Sequence, residues 1–342
     1  MTHLYTISIT CIALLTMGHC SQVKPTSTPA NATHIHGITL EAPPTPIDSA
    51  TYTSIQATTA SNWVAIVPFG FCKKNEPTIY YNSKRQWWGE KDEGVLASIQ
   101  LAHKQQLNTM LKPQLWIGGG TYTGHFTLPT QAAWLTWQQQ YTSYILHYAA
   151  IAEQQHVAML CIGTELDSAV AYSPTYWASL IQAVKQVYQG KLTYAANWNT
   201  YSHTSMWATL DYIGVDAYFP LTQAATPTVA ELVQAWQPHK AALAQVSKQY
   251  SKPILFTEYG YRSIDGCAHQ PWQSYNTGSI NNTAQDNAYQ ALYRTFTSTN
   301  WYAGGFIWKW HANDNMYTTL NNDYTPQHKP VLQTIKQWHT LN

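Results

Sequence analysis

The chain has 342 residues, with 18 Lys and Arg against 17 Asp and Glu, a net charge of +1. That balance excludes the strongly basic surface of a nucleic-acid binder and offers no pull on an acidic partner. Only 10% of residues are charged, whereas 15 are Trp and 24 are Tyr, enough aromatic side chains to fill a core and leave some for stacking on the rings of a neutral sugar polymer.

Residues 1–17 form an apolar stretch containing Leu4, Ile7, Ile9, Ile12, Leu14 and Leu15. It is short for a transmembrane helix and reads as a signal peptide, although no Lys or Arg precedes the apolar run. Met17-Gly18-His19-Cys20 resembles a lipoprotein signal with Cys20 as the lipid-bearing residue, except that His19 stands where a small side chain is expected. The expectation is therefore a leader over 1–20 and an exported protein, either secreted or held at the cell surface or in the periplasm by lipid on Cys20. Residues 21–33, rich in Thr, Pro and Ser, read as a flexible tether. That leaves 34–342 as one domain. Cys161 lies in an apolar run and reads as an inert core thiol. Cys72 and Cys267 both follow strand ends and either pair or stay free. No Cys or His spacing suggests a metal site, and no cofactor is expected.

Strands are predicted at Ile35–Leu40, at Trp63–Val67 ended by Pro68 and Gly70, and at Thr109–Ile117 with Pro113 as an irregularity. A long loop from Phe71 to about Asp92 carries Trp87 and Trp88, and connections of that length are usually functional. Helices are predicted near Tyr52–Ala60 and Glu93–Leu107. The strongest helical pattern follows Thr130, a capping residue: Trp134, Trp137, Tyr141, Tyr144, Ile145, Tyr148 and Ile151 recur at steps of three and four. A fourth strand at Val157–Ile162 runs into Gly163-Thr164-Glu165. Ser173-Pro174 opens a helix that ends at Gly190. Strands at Leu192–Ala196 and Tyr212–Tyr218 follow, ending on Asn197-Trp198 and Phe219-Pro220. Next comes a helix over Val229–Tyr250, with Pro238 as a point of interruption. The seventh strand, Ile254-Leu255-Phe256, ends on Thr257-Glu258 and breaks at Gly260. Thr283 is placed to cap a helix over Ala284–Thr297. Ala303–Trp310 is the eighth strand, and a helix over Val331–Leu341 closes the chain.

Eight strands alternating with helices imply parallel pairing through right-handed crossovers, and over about 300 residues a single α/β domain folded as a closed (β/α)8 TIM barrel. An open doubly wound sheet would show a glycine-rich phosphate turn after its first strand, and His36-Gly37-Ile38 offers none. In such barrels the active site lies at the carboxyl ends of the strands. That rule collects Glu165, Asn197, Trp198, Tyr218, Glu258, Tyr259, Arg262, Trp308 and Trp310. Two strand-end glutamates suit acid/base chemistry on a glycosidic bond: carboxyls about 5–5.5 Å apart retain configuration, and about 6.5–9.5 Å apart invert it. Each residue has a plainer alternative. Glu165 would cap the next helix; Glu258 would pair with Arg262; Asp216 reads as structural; Tyr218 either hydrogen-bonds the nucleophile or packs; Trp308 is either the floor under the reacting sugar or core. Trp198, Trp87 and Trp88 are stacking candidates, and Lys112, Lys309 and His311 are candidates for sugar hydroxyls.

Ile162-Gly-Thr-Glu-Leu166, Gly214-Val-Asp-Ala-Tyr-Phe-Pro-Leu221 and Phe256-Thr-Glu-Tyr-Gly-Tyr-Arg-Ser263 resemble glycoside hydrolase family 113, over about Ile35 to Leu341. That family contains β-mannanases within a large clan of retaining (β/α)8 glycosidases. The resemblance implies hydrolysis of β-1,4-mannan or glucomannan with Glu165 as general acid/base and Glu258 as nucleophile. It also implies, by strand position, a nucleophile-tuning role for Tyr218 and a platform role for Trp308. The alternatives are the same frame acting on β-glucan, xylan or chitosan, and a non-catalytic surface barrel that binds glycan. A monomer whose partner is the polysaccharide is expected.

Overall fold

A computed structural model describes Met1 and residues 34–120, 122–275, 278–312 and 322–341. The leader and tether expected over 1–33, with Cys11 and Cys20, lie outside the described residues, Met1 apart.

Eight strands close the barrel: β1 (Ile35–Leu40), β2 (Trp63–Ile66), β3 (Asn108–Leu111), β4 (Met159–Thr164), β5 (Lys191–Asn197), β6 (Ile213–Asp216), β7 (Ile254–Tyr259) and β8 (Tyr302–Trp310). Each pairs in parallel with its sequence neighbours, and β8 pairs with β1. The interior is filled by Ile35, Ala65, Met110, Met159, Cys161, Ala195, Leu255 and Phe306, all buried. Gly37 is required there: a Cβ would lie 2.2 Å from the Phe306 ring.

The helices are α1 (Ser49–Thr59), α2 (Asp92–Lys104), α3 (Gln131–Gln154), α4 (Asp167–Tyr172), α5 (Pro174–Val187), α6 (Val229–Tyr250), α7 (Asn282–Phe296) and α8 (Val331–Leu341). The aromatic stripe of α3 is buried throughout, and its phenols tie the helix to the barrel. Tyr141 donates to the Ile162 carbonyl at 3.0 Å and Tyr144 to the Gln114 carbonyl at 2.8 Å. Thr130 Oγ1 accepts from Ala133 N at 3.1 Å, a side-chain N-cap.

Several boundaries differ from expectation. β2 ends at Ile66, ahead of Pro68 as expected, but Gly70 lies inside a further strand. The chain continues as a rim strand, Phe69–Cys72, paired in parallel with a second rim strand, Gln114–Ile117, and antiparallel with a third, Ile79–Tyr80. Proline cannot donate to a ladder but can still accept. Here Lys112 N donates to the Ile66 carbonyl at 2.9 Å and Gln114 N to the Pro68 carbonyl at 3.0 Å, so pairing carries on across Pro68 and Pro113. The expected long loop thus holds part of this sheet and a turn of 3-10 helix at Trp88–Glu90. A short α4, absent from the sequence reading, follows Glu165. Pro238 does not interrupt α6, which starts on a capping box of Thr228 and Glu231 and buries Leu232, Trp236, Leu243 and Val246. Asn281, not Thr283, caps α7: its Oδ1 accepts from Ala284 N at 2.9 Å. Cys72 and Cys267 are free buried thiols, so the pairing alternative fails.

Candidate active site

The two glutamates stand at the carboxyl ends of β4 and β7, where the register slips. The β6–β7 ladder shifts between Phe256 and Glu258, which sets Glu258 directly beside Asp216. The β4–β5 ladder shifts between Cys161 and Thr164. Such irregularities re-aim side chains at barrel rims. Glu165 itself adopts a left-handed backbone, φ 49°. Its N–H donates to the Ala195 carbonyl at 2.8 Å, and the next N–H, of Leu166, donates to the Tyr194 hydroxyl at 2.8 Å. Leu166 occupies the N-cap position of α4 and supplies no side-chain cap, so the capping alternative for Glu165 does not hold.

Glu258 is buried, and its two oxygens are held by three donors. Lys112 Nζ lies on Oε1, Gln114 Nε2 donates to Oε1 at 2.9 Å, and the Tyr218 hydroxyl donates to Oε2 at 2.9 Å. Lys112 also sits 3.6 Å from Asp216 Oδ1. Burial works against its ammonium, but Asp216 and Glu258 outweigh this and raise its pKa above the ordinary lysine value. Burial first, then the Glu258 charge, pushes Asp216 up, with Lys112 and the Thr257 hydroxyl opposing. Glu165 keeps part of its surface open to solvent, yet it is raised well above the usual carboxylate range. Desolvation leads, the charges of Asp216 and Glu258 add, and Lys112 opposes. The two glutamates therefore differ in their surroundings: Glu258 is met by three donors, and Glu165 is favoured as the neutral acid.

The other sequence candidates fall into separate places. Asn197 Nδ2 donates to the Tyr122 hydroxyl, which in turn donates to Asp167 Oδ2 at 3.3 Å, and Glu165 is among the charges that act on this phenol. Trp198 stacks on Trp272 with centroids 5.2 Å apart at 20°, and Trp272 is exposed. Trp308 is half-buried. Arg262 Nε donates to the Asn322 carbonyl at 2.8 Å, and the cation on Glu258 is Lys112. Lys112 has no exposed surface, so it meets two carboxylates rather than substrate hydroxyls. Trp310 is buried in the core, which removes it from the substrate surface. Lys309 Nζ pairs with Glu41, and His311 bridges Glu41 and Asp323 at 2.6 and 2.7 Å.

A cleft of about 1230 Å³ opens beside Trp308 and Lys309, between the ends of β1 and β8 and the rim sheet. Its aromatic walls are Phe69, Phe71, Tyr80, Trp87, Trp116 and Trp308. Trp87 belongs to it and Trp88 is half-buried beside it. Glu165 and Glu258 are not among its walls, whereas Glu41 and Glu90 are. Gln114, Tyr122 and Trp116 lie near these groups and sequence reasoning does not single them out, whereas Asp216, read there as structural, stands at the carboxyl end of β6 beside Glu258. Of the three only Gln114 has a positional signal, as a polar residue just past a barrel strand.

A (β/α)8 barrel with two carboxyls at its strand ends is an arrangement suited to glycoside hydrolysis. The chain belongs to Glycoside Hydrolase Family 113, whose profile matches residues 47–329. Among solved structures, the family 113 β-mannanase AaManA of Alicyclobacillus acidocaldarius in complex with ManMIm superposes with a TM-score of 0.81 at 23% identity, over 91% of this chain and 98% of that one. A second structure, a complex of a family 113 β-1,4-mannanase, gives 0.79 at 24% identity over 90% and 99%. More distantly, the β-glucuronidase of Ruminococcus gnavus gives 0.61 at 12% identity, over 90% of this chain and 50% of its own. No curated protein matches the chain.

Proposed function

We propose that the protein hydrolyses β-1,4-mannosidic bonds of mannan or glucomannan by double displacement, with Glu258 as nucleophile and Glu165 as acid/base. The observation that carries this is the opposite surroundings of the two carboxyls: Glu258 held by Lys112, Gln114 and Tyr218, Glu165 raised by burial and by neighbouring carboxylates. In the first step Glu258 attacks the anomeric carbon, forming a glycosyl ester. The glycosidic C–O bond breaks, and Glu165 gives its proton to the leaving oxygen. In the second, Glu165 takes a proton from water, the water oxygen bonds to the anomeric carbon and Glu258 leaves as carboxylate. Mannan as substrate rests on the family and on the β-mannanases it resembles in fold.

Aromatic surface lies on two sides of the glutamates: Trp308, Trp87 and Trp116 toward β8, β1 and β2, and Trp198 with Trp272 beyond β5 and β7. In the closed order β5 stands across from β1. This supports a substrate that extends past the cleaved bond in both directions. The test is product release from mannan, glucomannan, xylan, β-glucan and chitosan offered in parallel, with Glu165→Ala and Glu258→Ala as controls. Manno-oligosaccharides from mannan, abolished by either change, are expected. Activity on another polymer alone discards the substrate, and binding without turnover by the wild type favours the glycan-binding reading. The apolar start of the chain and Cys20 further support export with lipid attachment.

A further inference from the structure

Lys112 follows β3 and is enclosed completely. Its ammonium lies on Glu258 Oε1 and 3.6 Å from Asp216 Oδ1. Asp216 is itself buried, and its Oδ1 accepts from Thr257 Oγ1 at 2.8 Å, while Oδ2 has no partner among the described groups. One cation thus stands between two buried carboxylates from adjacent strands, and both of those charges act to raise Glu165. For stability alone an apolar side chain would serve better, because burying ionised groups carries a desolvation cost that the ion pair rarely exceeds. An arrangement with that cost, directly behind two glutamates, has a use in their chemistry.

We propose that Lys112 and Asp216 form a buried charge-setting pair for the reaction: Lys112 orients Glu258 and keeps it an anion, while Asp216 anchors Lys112 and by its own charge keeps Glu165 protonated. Neither touches substrate, so both are positioning residues. The proposal rests on the reading of Glu258 as nucleophile and Glu165 as acid/base. Other titratable groups face the same cluster. Tyr218 lies on Glu258 Oε2 with Tyr324 against its ring at 6.2 Å, Cys161 of β4 approaches Lys112, and Tyr122 and Asp167 flank Glu165. All of them remain when Lys112 or Asp216 is changed.

The two substitutions should act in opposite directions. Without Lys112, Glu258 faces Asp216 with no cation between them and takes up a proton more readily. With Asp216 neutral, Lys112 serves Glu258 alone and Glu165 loses a neighbouring negative charge. The experiment is the pH profile of kcat/KM on a manno-oligosaccharide for the full chain, comparing wild type, Lys112→Met, Lys112→Arg and Asp216→Asn. Lys112→Met is expected to move the acidic limb up by about 1–3 pH units, the usual effect of a close opposite charge, and to lower kcat with little change in KM. Lys112→Arg should restore the limb. Asp216→Asn should bring the alkaline limb down by about 1 unit or more. Folded variants whose limbs stay at wild-type positions, whatever their rates, would overturn the proposal. Should Lys112→Met fail to fold, as judged by circular dichroism, the isosteric Asp216→Asn carries the test alone. A wild type that cleaves no β-glycan takes down the functional reading and this proposal with it, whereas an active wild type with unmoved limbs refutes only the charge-setting pair.

Discussion

Glu165 combines two local costs, a left-handed backbone on a side chain with a Cβ and a carboxyl walled in among other carboxylates. Backbone strain of this kind costs about 1–3 kcal/mol and gathers at functional sites. Glycine at this position would relieve it, so Glu165→Gly should abolish turnover while leaving the thermal midpoint unchanged or higher. A marked fall in the midpoint would show that the strain argument is wrong. The alkaline limb of kcat/KM should report Glu165 and lie above the ordinary glutamate value of about 4.3. Tyr218→Phe removes one hydrogen bond to a charged oxygen, worth about 1.5–3 kcal/mol. Steady-state kinetics should show kcat reduced roughly 10- to 100-fold, and an unchanged kcat would remove the phenol from the mechanism. The two glutamates are legible in the sequence because each ends an apolar run next to Thr and close to Gly. Their surroundings are not. The slip between Phe256 and Glu258 decides that Asp216 lies beside Glu258, and no local pattern of residue types announces a slip. Lys112 looks like any lysine near a strand end until the barrel closes over it.

At the scale of elements, α3 is legible nearly to the residue because a buried helix must repeat its apolar face every three or four positions. Trp137→Ala in that face should cost about 3–5 kcal/mol, read as a lower denaturation midpoint; a loss under about 1 kcal/mol would mean that the stripe does not hold the helix down. The rim sheet is illegible for the opposite reason. Pro68 looks like a stop and Pro113 like an irregularity within one long strand, and only the partner strand shows that their missing N–H groups are not needed there. The short α4 has too few residues to display a period. At the amino-terminal end of the barrel, His36 of β1 stacks on His339 of α8 with centroids 4.5 Å apart. Burial pushes His36 down to about 4 and His339 well below its usual value. The unfolded chain then binds more protons than the folded one below pH 6.5, so stability present above that pH is lost as it falls toward 4. The loss should approach about 1.4 kcal/mol per pH unit for each histidine. Denaturant midpoints at pH 7.5, 6 and 5 should fall in wild type and flatten in His36→Gln; parallel curves would refute the assignment.

For the whole molecule, the closed barrel follows from the alternation of eight strands with helices, and the placement of the cleft does not, because its walls come from segments far apart in sequence. Trp87 stands exposed on one wall. Trp87→Ala should raise KM for long manno-oligosaccharides while leaving the shortest cleavable ones nearly unaffected, and an equal effect on both would place Trp87 outside the binding path. That wall has a bearing on how such an enzyme changes diet. In most barrels of this kind, substrate preference is carried by loops that can be exchanged without disturbing the frame. Here part of the wall is the rim strands Phe69–Cys72 and Gln114–Ile117, which follow β2 and β3 after a proline each and are joined by main-chain bonds such as Gln114 N to the Pro68 carbonyl. Replacing that segment wholesale would break a hydrogen-bonded sheet that leads directly out of β2 and β3. A change of substrate that keeps this sheet would run through side chains on it, such as Trp116 and Tyr80, on a wall whose shape stays fixed.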